Sequence, residues 1–145
     1  MIKLTFYIIR FVWEVPQNIL GIIIYFLNKK KINSVQKLDG RFYFQNNNFG
    51  ISLGSFIFWM PNLQDKYSEI PVVLKHEFGH SIQSLYFGPL YLIVIGIPSI
   101  ARVIYAKIFY RIKKSNWRNY YEGFPEKWAD VLGEKHFKKL PYKNT

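Results

Sequence analysis

The chain has 145 residues, a formal net charge of +11 and no cysteine, which fits a single domain and excludes disulfides and thiolate metal sites. Half of its residues are hydrophobic and 19% are aromatic, more apolar surface than a small soluble core hides, so part of it is expected to face lipid. Lys and Arg cluster beside apolar segments and form no recognisable nucleic-acid module. Anionic lipid headgroups are therefore the expected partner, and nucleic acid is not.

Residues 1–28 read as an N-terminal membrane anchor or interfacial helix. The apolar run from Leu4 to Leu27, ending at Lys29-Lys30-Lys31, is long enough to span a bilayer. Arg10, Glu14, Pro16, Gln17 and Asn18 interrupt it, so the alternative is a helix bent at Pro16 that lies along the interface. Arg10 splits the apolar run and no small-x-small cleavage site follows, so the segment is expected to stay attached. Further on, residues 41–45 and 50–59 are rich in aromatic and β-branched residues and are separated by Asn46-Asn47-Asn48, which predicts a β-hairpin. The stretch from Gly50 to Phe58 is the candidate edge for holding an extended peptide, with plain packing against the next helix as the other use.

The next segment carries the most chemistry: His76-Glu77-Phe78-Gly79-His80. A helix turns in 3.6 residues, so His76 and His80 stack one turn apart with Glu77 beside them, two metal ligands and a base on one turn. Zinc held this way lowers the pKa of its bound water, and the adjacent carboxylate can take that proton and pass it to a leaving amine, as peptide hydrolysis requires. Ser68 and Glu69 mark a helix start and Gly88-Pro89 a stop, predicting a helix over 69–87. Gly79 implies the close approach of a substrate, another backbone or a packing neighbour.

Leu90 to Ile100 is apolar but short for a span, and contains Gly96 and Pro98. If it crossed the membrane once, the two sides of a shared metal site would be separated. Basic residues flank both sides, Lys29, Lys30, Lys31 and Lys37 before and Arg102, Lys107, Arg111, Lys113 and Lys114 after, so both flanks are expected in the cytoplasm. The expectation for 89–110 is a re-entrant helix that breaks near Gly96 to Ser99 and returns as an amphipathic segment. Ile100, Val103, Ile104, Ile108 and Ile112 would share its apolar face, and Arg102, Lys107 and Arg111 would meet headgroups. The alternative is a buried helical hairpin in a soluble core.

Zinc needs a third protein ligand. His136 is one candidate in a chain with three histidines. The better one is Glu126 in Glu126-Lys127-Trp128-Ala129-Asp130, a second carboxylate pair four apart, preceded by the helix-starting Pro125. Asp130 could then accept the outward N–H of a ligand histidine. Tyr120, Tyr121 or His136 could donate to a developing oxyanion. The tail after Leu140 is expected to fray.

H-E-x-x-H followed by E-x-x-x-D resembles the gluzincin metallopeptidases, the thermolysin-like clan. The resemblance implies that His76, His80 and Glu126 bind zinc, Glu77 is the catalytic base and Asp130 orients His76. The interval of 46 positions between His80 and Glu126, filled largely by the apolar stretch, departs from thermolysin, and the substrate-binding motifs of larger gluzincins are missing. The wider context, from the histidine motif through Gly88-Pro89-Leu90-Tyr91 and Ile95-Gly96-Ile97-Pro98-Ser99 to Asp130, is similar to a family of small uncharacterised bacterial membrane proteins without established activity.

The expected fold is mainly α with a small β-hairpin, an α+β, membrane-associated, zincin-like minimal domain in which residues 29–145 form the metallopeptidase-like part. The expected function is zinc-dependent hydrolysis of peptide or protein substrates at the cytoplasmic face of a bacterial membrane. The alternative is a non-catalytic membrane protein in which zinc staples two helices. A zinc site inside the bilayer is argued against by Lys75, Gln83 and Lys127 beside the motifs.

Overall fold

The computed structural model of this chain describes residues 2–61 and 71–137. It is mainly helical with one small mixed sheet, in the order α1 (Ile2–Trp13), α2 (Val15–Asn28), β1 (Ile32–Leu38), β2 (Arg41–Asn46), β3 (Ile51–Leu53), β4 (Phe56–Trp59), α3 (Val72–Phe87), α4 (Ile97–Lys113) and α5 (Glu126–His136). The helix expected over 69–87 starts at Val72, with Pro71 in an extended conformation before it; the expected cap at Ser68 and Glu69 and the expected fraying after Leu140 lie outside the described residues.

The sheet is larger than one hairpin. Its strand order is β1-β2-β4-β3, with β1 antiparallel to β2, β2 parallel to β4 and β3 antiparallel to β4. The predicted hairpin fails because 50–59 is not one strand. Gly54 adopts a φ of +63°, and with Ser55 reverses the chain between β3 and β4. At the end of β2, the Asn46 side chain accepts the N–H groups of Asn48 and Phe49 at 2.8 and 3.0 Å, steering the chain past the neighbouring position. The real hairpin after the N-terminal helices joins β1 to β2 through Asp39-Gly40, both with positive φ. That dipeptide favours a two-residue turn and was legible in the sequence.

Strand periodicity sorts the sheet's two faces. Phe42, Phe44, Phe56 and Phe58 point to one side, where they pack with Ile22 and Tyr25 of α2. Tyr43, Ile57 and Trp59 point to the other, against Leu74, Phe78 and Ile82 of α3 and Leu132 of α5. β4 is buried at all four positions, as a central strand covered on both faces requires. The layers are therefore α2, sheet, then the α3/α5 pair.

The N-terminal segment bends by 89°, at Glu14 rather than at Pro16, which is tolerated in the first turn of α2. The polar residues that interrupt the apolar run are its inward hooks. Arg10 Nε donates to Glu14 Oε2 at 3.2 Å with both groups buried, and Arg10 Nη1 donates to the Asp39 carbonyl. Gln17 Nε2 donates to Ser84 Oγ and to the Gly88 carbonyl, each at 2.9 Å. Asn18 Oδ1 accepts the Ser55 N–H at 2.8 Å. The apolar side, including Ile8, Val12, Ile19, Ile23 and Phe26, is left exposed.

The second apolar segment does not break at Gly96 to Ser99. A 3₁₀ turn over Gly88–Leu90 and a π turn over Leu92–Gly96 lead directly into α4. The wider π turn accommodates Pro98, which lacks a backbone donor. Leu92 to Lys113 is thus one helical stretch of 22 residues, whose most apolar 18-residue window has a mean hydropathy of 1.8 and is 6% buried. It is the one straight described helix long and apolar enough to cross a membrane, and its exposure argues against a soluble-core hairpin. Ile100, Ile104, Ile108 and Ile112 are exposed along it as expected. Arg102 instead turns inward, its Nε donating to the Tyr120 carbonyl at 2.9 Å, and its guanidinium lies over Trp117.

Candidate metal centre

The site is built where α3 crosses α5. Gly79 and Gly133 make that crossing close: a Cβ on Gly79 would lie 1.9 Å from the Ala129 carbonyl oxygen, and one on Gly133 would lie 2.1 Å from that of Lys75. Each helix presses a glycine onto the other's backbone. Of the roles open to Gly79 from sequence, packing against α5 is the one realised.

This contact brings both halves of the predicted site together. His76 Nε2 and His80 Nε2 are 3.1 Å apart, and Glu126 Oε2 lies 3.0 Å from the first and 3.3 Å from the second. A tetrahedral ion with bonds of about 2.05 Å needs ligand atoms about 3.3 Å apart, so the triangle has the right edge lengths. The three side chains could hold a metal ion.

The outer bonds fix which atoms face inward. His76 Nδ1 lies 2.7 Å from Asp130 Oδ1, whose carboxylate accepts its proton. His80 Nδ1 lies 2.8 Å from Gln83 Oε1. The Gln83 amide is oriented by its Nε2 donating to the Pro125 carbonyl at 3.0 Å, which leaves its oxygen for the histidine. With both Nδ1 positions donating, two Nε2 lone pairs and a carboxylate that is 1% exposed converge on one point. Such an arrangement is repulsive unless a proton or a cation occupies it. Glu126 Oε1 is also buried without a hydrogen-bond partner.

The electrostatics agree. Burial opposes charging His76, but its bonds to Asp130 and Glu126 outweigh burial and push its pKa up to about 10. Burial likewise opposes charge on Glu126, yet His76 and His80 hold its carboxyl well below the usual range, with Ser99 of α4 contributing. Proton and metal therefore compete for one place. Metal affinity is expected to rise about tenfold per pH unit between neutrality and the His76 pKa, with about one proton released per ion bound. Calorimetric titration in two buffers of different ionisation enthalpy measures that proton; a release near zero at pH 7 would contradict the competition.

Glu77 points into a cleft of about 1130 Å³ that it shares with His76, Asp130, Tyr120 and Tyr121. Burial raises its pKa, against the opposing pull of His76 and His80. Gly50, just before edge strand β3, leaves room for it: a Cβ there would lie 2.6 Å from Glu77 Oε1. The candidate peptide-binding edge is thus reduced to β3, since β4 is central, and the Tyr91 hydroxyl already donates to the Ser52 carbonyl of β3 at 3.0 Å.

Tyr121 packs edge-on against the His76 ring with centroids 5.4 Å apart. Burial, then the Glu126 charge for Tyr120 and the Asp130 charge for Tyr121, raise both phenols. Both therefore keep their protons at neutral pH. His136 joins neither the ligand cluster nor the cleft, because it lies ten residues beyond Glu126, about 15 Å along α5. That removes it as third ligand and as oxyanion donor. Gln83 and Ser99 have no site role in the sequence reading, although Gln83 stands three residues after His80, a spacing that shares a helix face. No protein family, curated protein or solved structure matches this chain.

Proposed function

We propose that this chain is a zinc-dependent peptidase acting at the cytoplasmic surface of a bacterial membrane. The observation that carries the reading is the convergence of His76 Nε2, His80 Nε2 and Glu126 Oε2 within 3.3 Å beside a cleft-facing glutamate. Two imidazoles and one carboxylate, with no thiolate, suit zinc with a coordination position left open. Bound there, zinc supplies a Lewis acid that acidifies water and polarises a carbonyl.

The chain's own residues account for the remaining steps. Glu77 accepts a proton from the attacking water as the C–O bond forms and the carbonyl becomes a tetrahedral oxyanion, then gives it to the amine nitrogen as the oxyanion collapses and the C–N bond breaks. Asp130 and Gln83 hold the two imidazoles in the tautomer that exposes Nε2. Tyr120 and Tyr121, protonated and in the cleft, are the donors available to the developing oxyanion. The roles of His76, His80, Glu126, Glu77 and Asp130 are those that the gluzincin resemblance implies; those of Gln83, Tyr120 and Tyr121 are added to it.

Membrane association rests on the exposed apolar sides of α1, α2 and α4 and on the basic residues beside them, Lys29, Lys30 and Lys31 after α2 and Lys113 and Lys114 at the end of α4. Large exposed apolar patches with flanking cations suit an anionic cytoplasmic leaflet. The test is the zinc-loaded full chain on anionic vesicles, incubated with a peptide library and read by mass spectrometry. Sedimentation with the vesicles and cleavage that chelation stops and zinc restores are expected. Metal-independent or absent cleavage, with zinc removal only unfolding the chain, would favour a structural zinc staple instead.

A further inference from the structure

The cleft wall formed by α4 carries a charge pattern that the hydrolytic reading does not use. Val103, Ala106, Lys107, Tyr110 and Arg111 all line the same cleft as His76 and Glu77. Their spacing of three and four residues marks one side of a helix for more than two turns. One turn earlier the same side begins at Ser99, which helps hold the Glu126 carboxylate ionised. The stripe therefore starts at the metal ligands and runs outward along the cleft.

The acids on the facing wall are engaged. Glu134 pairs with Lys75 and Asp130 with His76. Lys107 and Arg111, four apart on α4, make no ion pair among the described residues. Two like charges at this spacing repel and destabilise their helix, so a cation pair opening on a cleft gains from an anion that comes with the ligand.

We propose that Lys107 and Arg111 form an anion subsite that selects peptides carrying an acidic residue a fixed distance from the bond to be cleaved. At 1.5 Å per residue, Lys107 lies about 12 Å and Arg111 about 18 Å from Ser99 along α4. An extended peptide advances about 3.3 Å per residue. The acidic residue therefore sits about four to five positions from the scissile bond. The substrate class is an acidic peptide segment, and the proposal rests on the peptidase reading above. Both cations also border the exposed isoleucine stripe of α4, which makes anionic headgroups the competing partner to be separated by experiment.

The test uses the full zinc-loaded chain in neutral detergent with matched peptides in which one Asp, or Asn in its place, is moved along the sequence. Asp at the fourth or fifth position should raise kcat/KM roughly tenfold over Asn, as expected for two partly exposed charge pairs. In the double variant K107Q/R111Q the ratio should fall to near one, and in K107E/R111E it should invert in favour of peptides with Lys at that position. Equal cleavage of Asp and Asn peptides by the unmodified chain would overturn the subsite and leave the peptidase reading intact. If no peptide is cleaved, fluorescence anisotropy of the labelled Asp peptide decides: tighter binding than the Asn peptide, lost in K107Q/R111Q, supports the subsite while the peptidase reading falls. Equal binding overturns the subsite as well. A double variant that loses only its binding to phosphatidylserine vesicles, with peptide preference retained, assigns the pair to headgroups and overturns the subsite.

Discussion

Glu77→Gln is expected to lower kcat/KM for peptide cleavage by about 10²–10⁴-fold, the range over which a positioned general base contributes, with one metal ion per chain still bound. The amide is nearly isosteric, so it keeps the packing beside Gly50, where the Glu77 carboxylate fits against a residue with no side chain. It cannot accept a proton at neutral pH. Metal retention is expected because the three converging ligand atoms belong to His76, His80 and Glu126 and not to Glu77. Steady-state kinetics beside elemental analysis of the purified variant tests both parts. Undiminished turnover would refute the base assignment, whereas a loss of metal would make Glu77 part of the binding shell.

Gly79→Ala should destabilise the chain by about 3 kcal/mol, at the upper end of overpacking effects, and weaken metal binding with it. Two effects oppose each other here. Helix propensity alone favours alanine over glycine by about 1 kcal/mol. The new methyl carbon, however, would stand 1.9 Å from the Ala129 carbonyl oxygen, and backbone on α5 cannot rotate away as a side chain could. The helices must separate, and α5 carries both Glu126 and Asp130. Denaturant unfolding and a metal titration of the same variant measure the two consequences; a variant as stable as the parent would show that the crossing has slack.

How far the sequence led differs by element. The helical spacing of His76, Glu77 and His80, and of Glu126 and Asp130, needed only the 3.6-residue turn, and both motifs are helical in the structure. The N-terminal run is two helices with their apolar side exposed. Its interrupting polar residues were visible, but their partners, Asp39, Ser55, Ser84 and Gly88, lie far along the chain. Strand pairing was harder for the same reason. Gly54-Ser55 divides a run that periodicity reads as one strand, and the parallel pairing of β2 with β4 depends on a crossover that local pattern does not encode. Gly96 and Pro98 signalled a break, yet Gly96 closes a π turn over Leu92–Gly96 and Pro98 falls in the first turn of α4, so the helix stays continuous.

The histidine spacing, the carboxylate spacing and the absence of cysteine by themselves determined which atoms of this chain are available to a metal, because those depend on residue type and on local helix geometry. Only the tertiary structure decided that Glu126 rather than His136 completes the triangle, that Gln83 orients His80, and that Lys107 and Arg111 face the cleft. The first two depend on α3 and α5, distant in sequence, meeting at two glycines, a distance of approach fixed by contacts between backbones and not by the pattern along either helix; the third depends on where the chain carries α4 beside them.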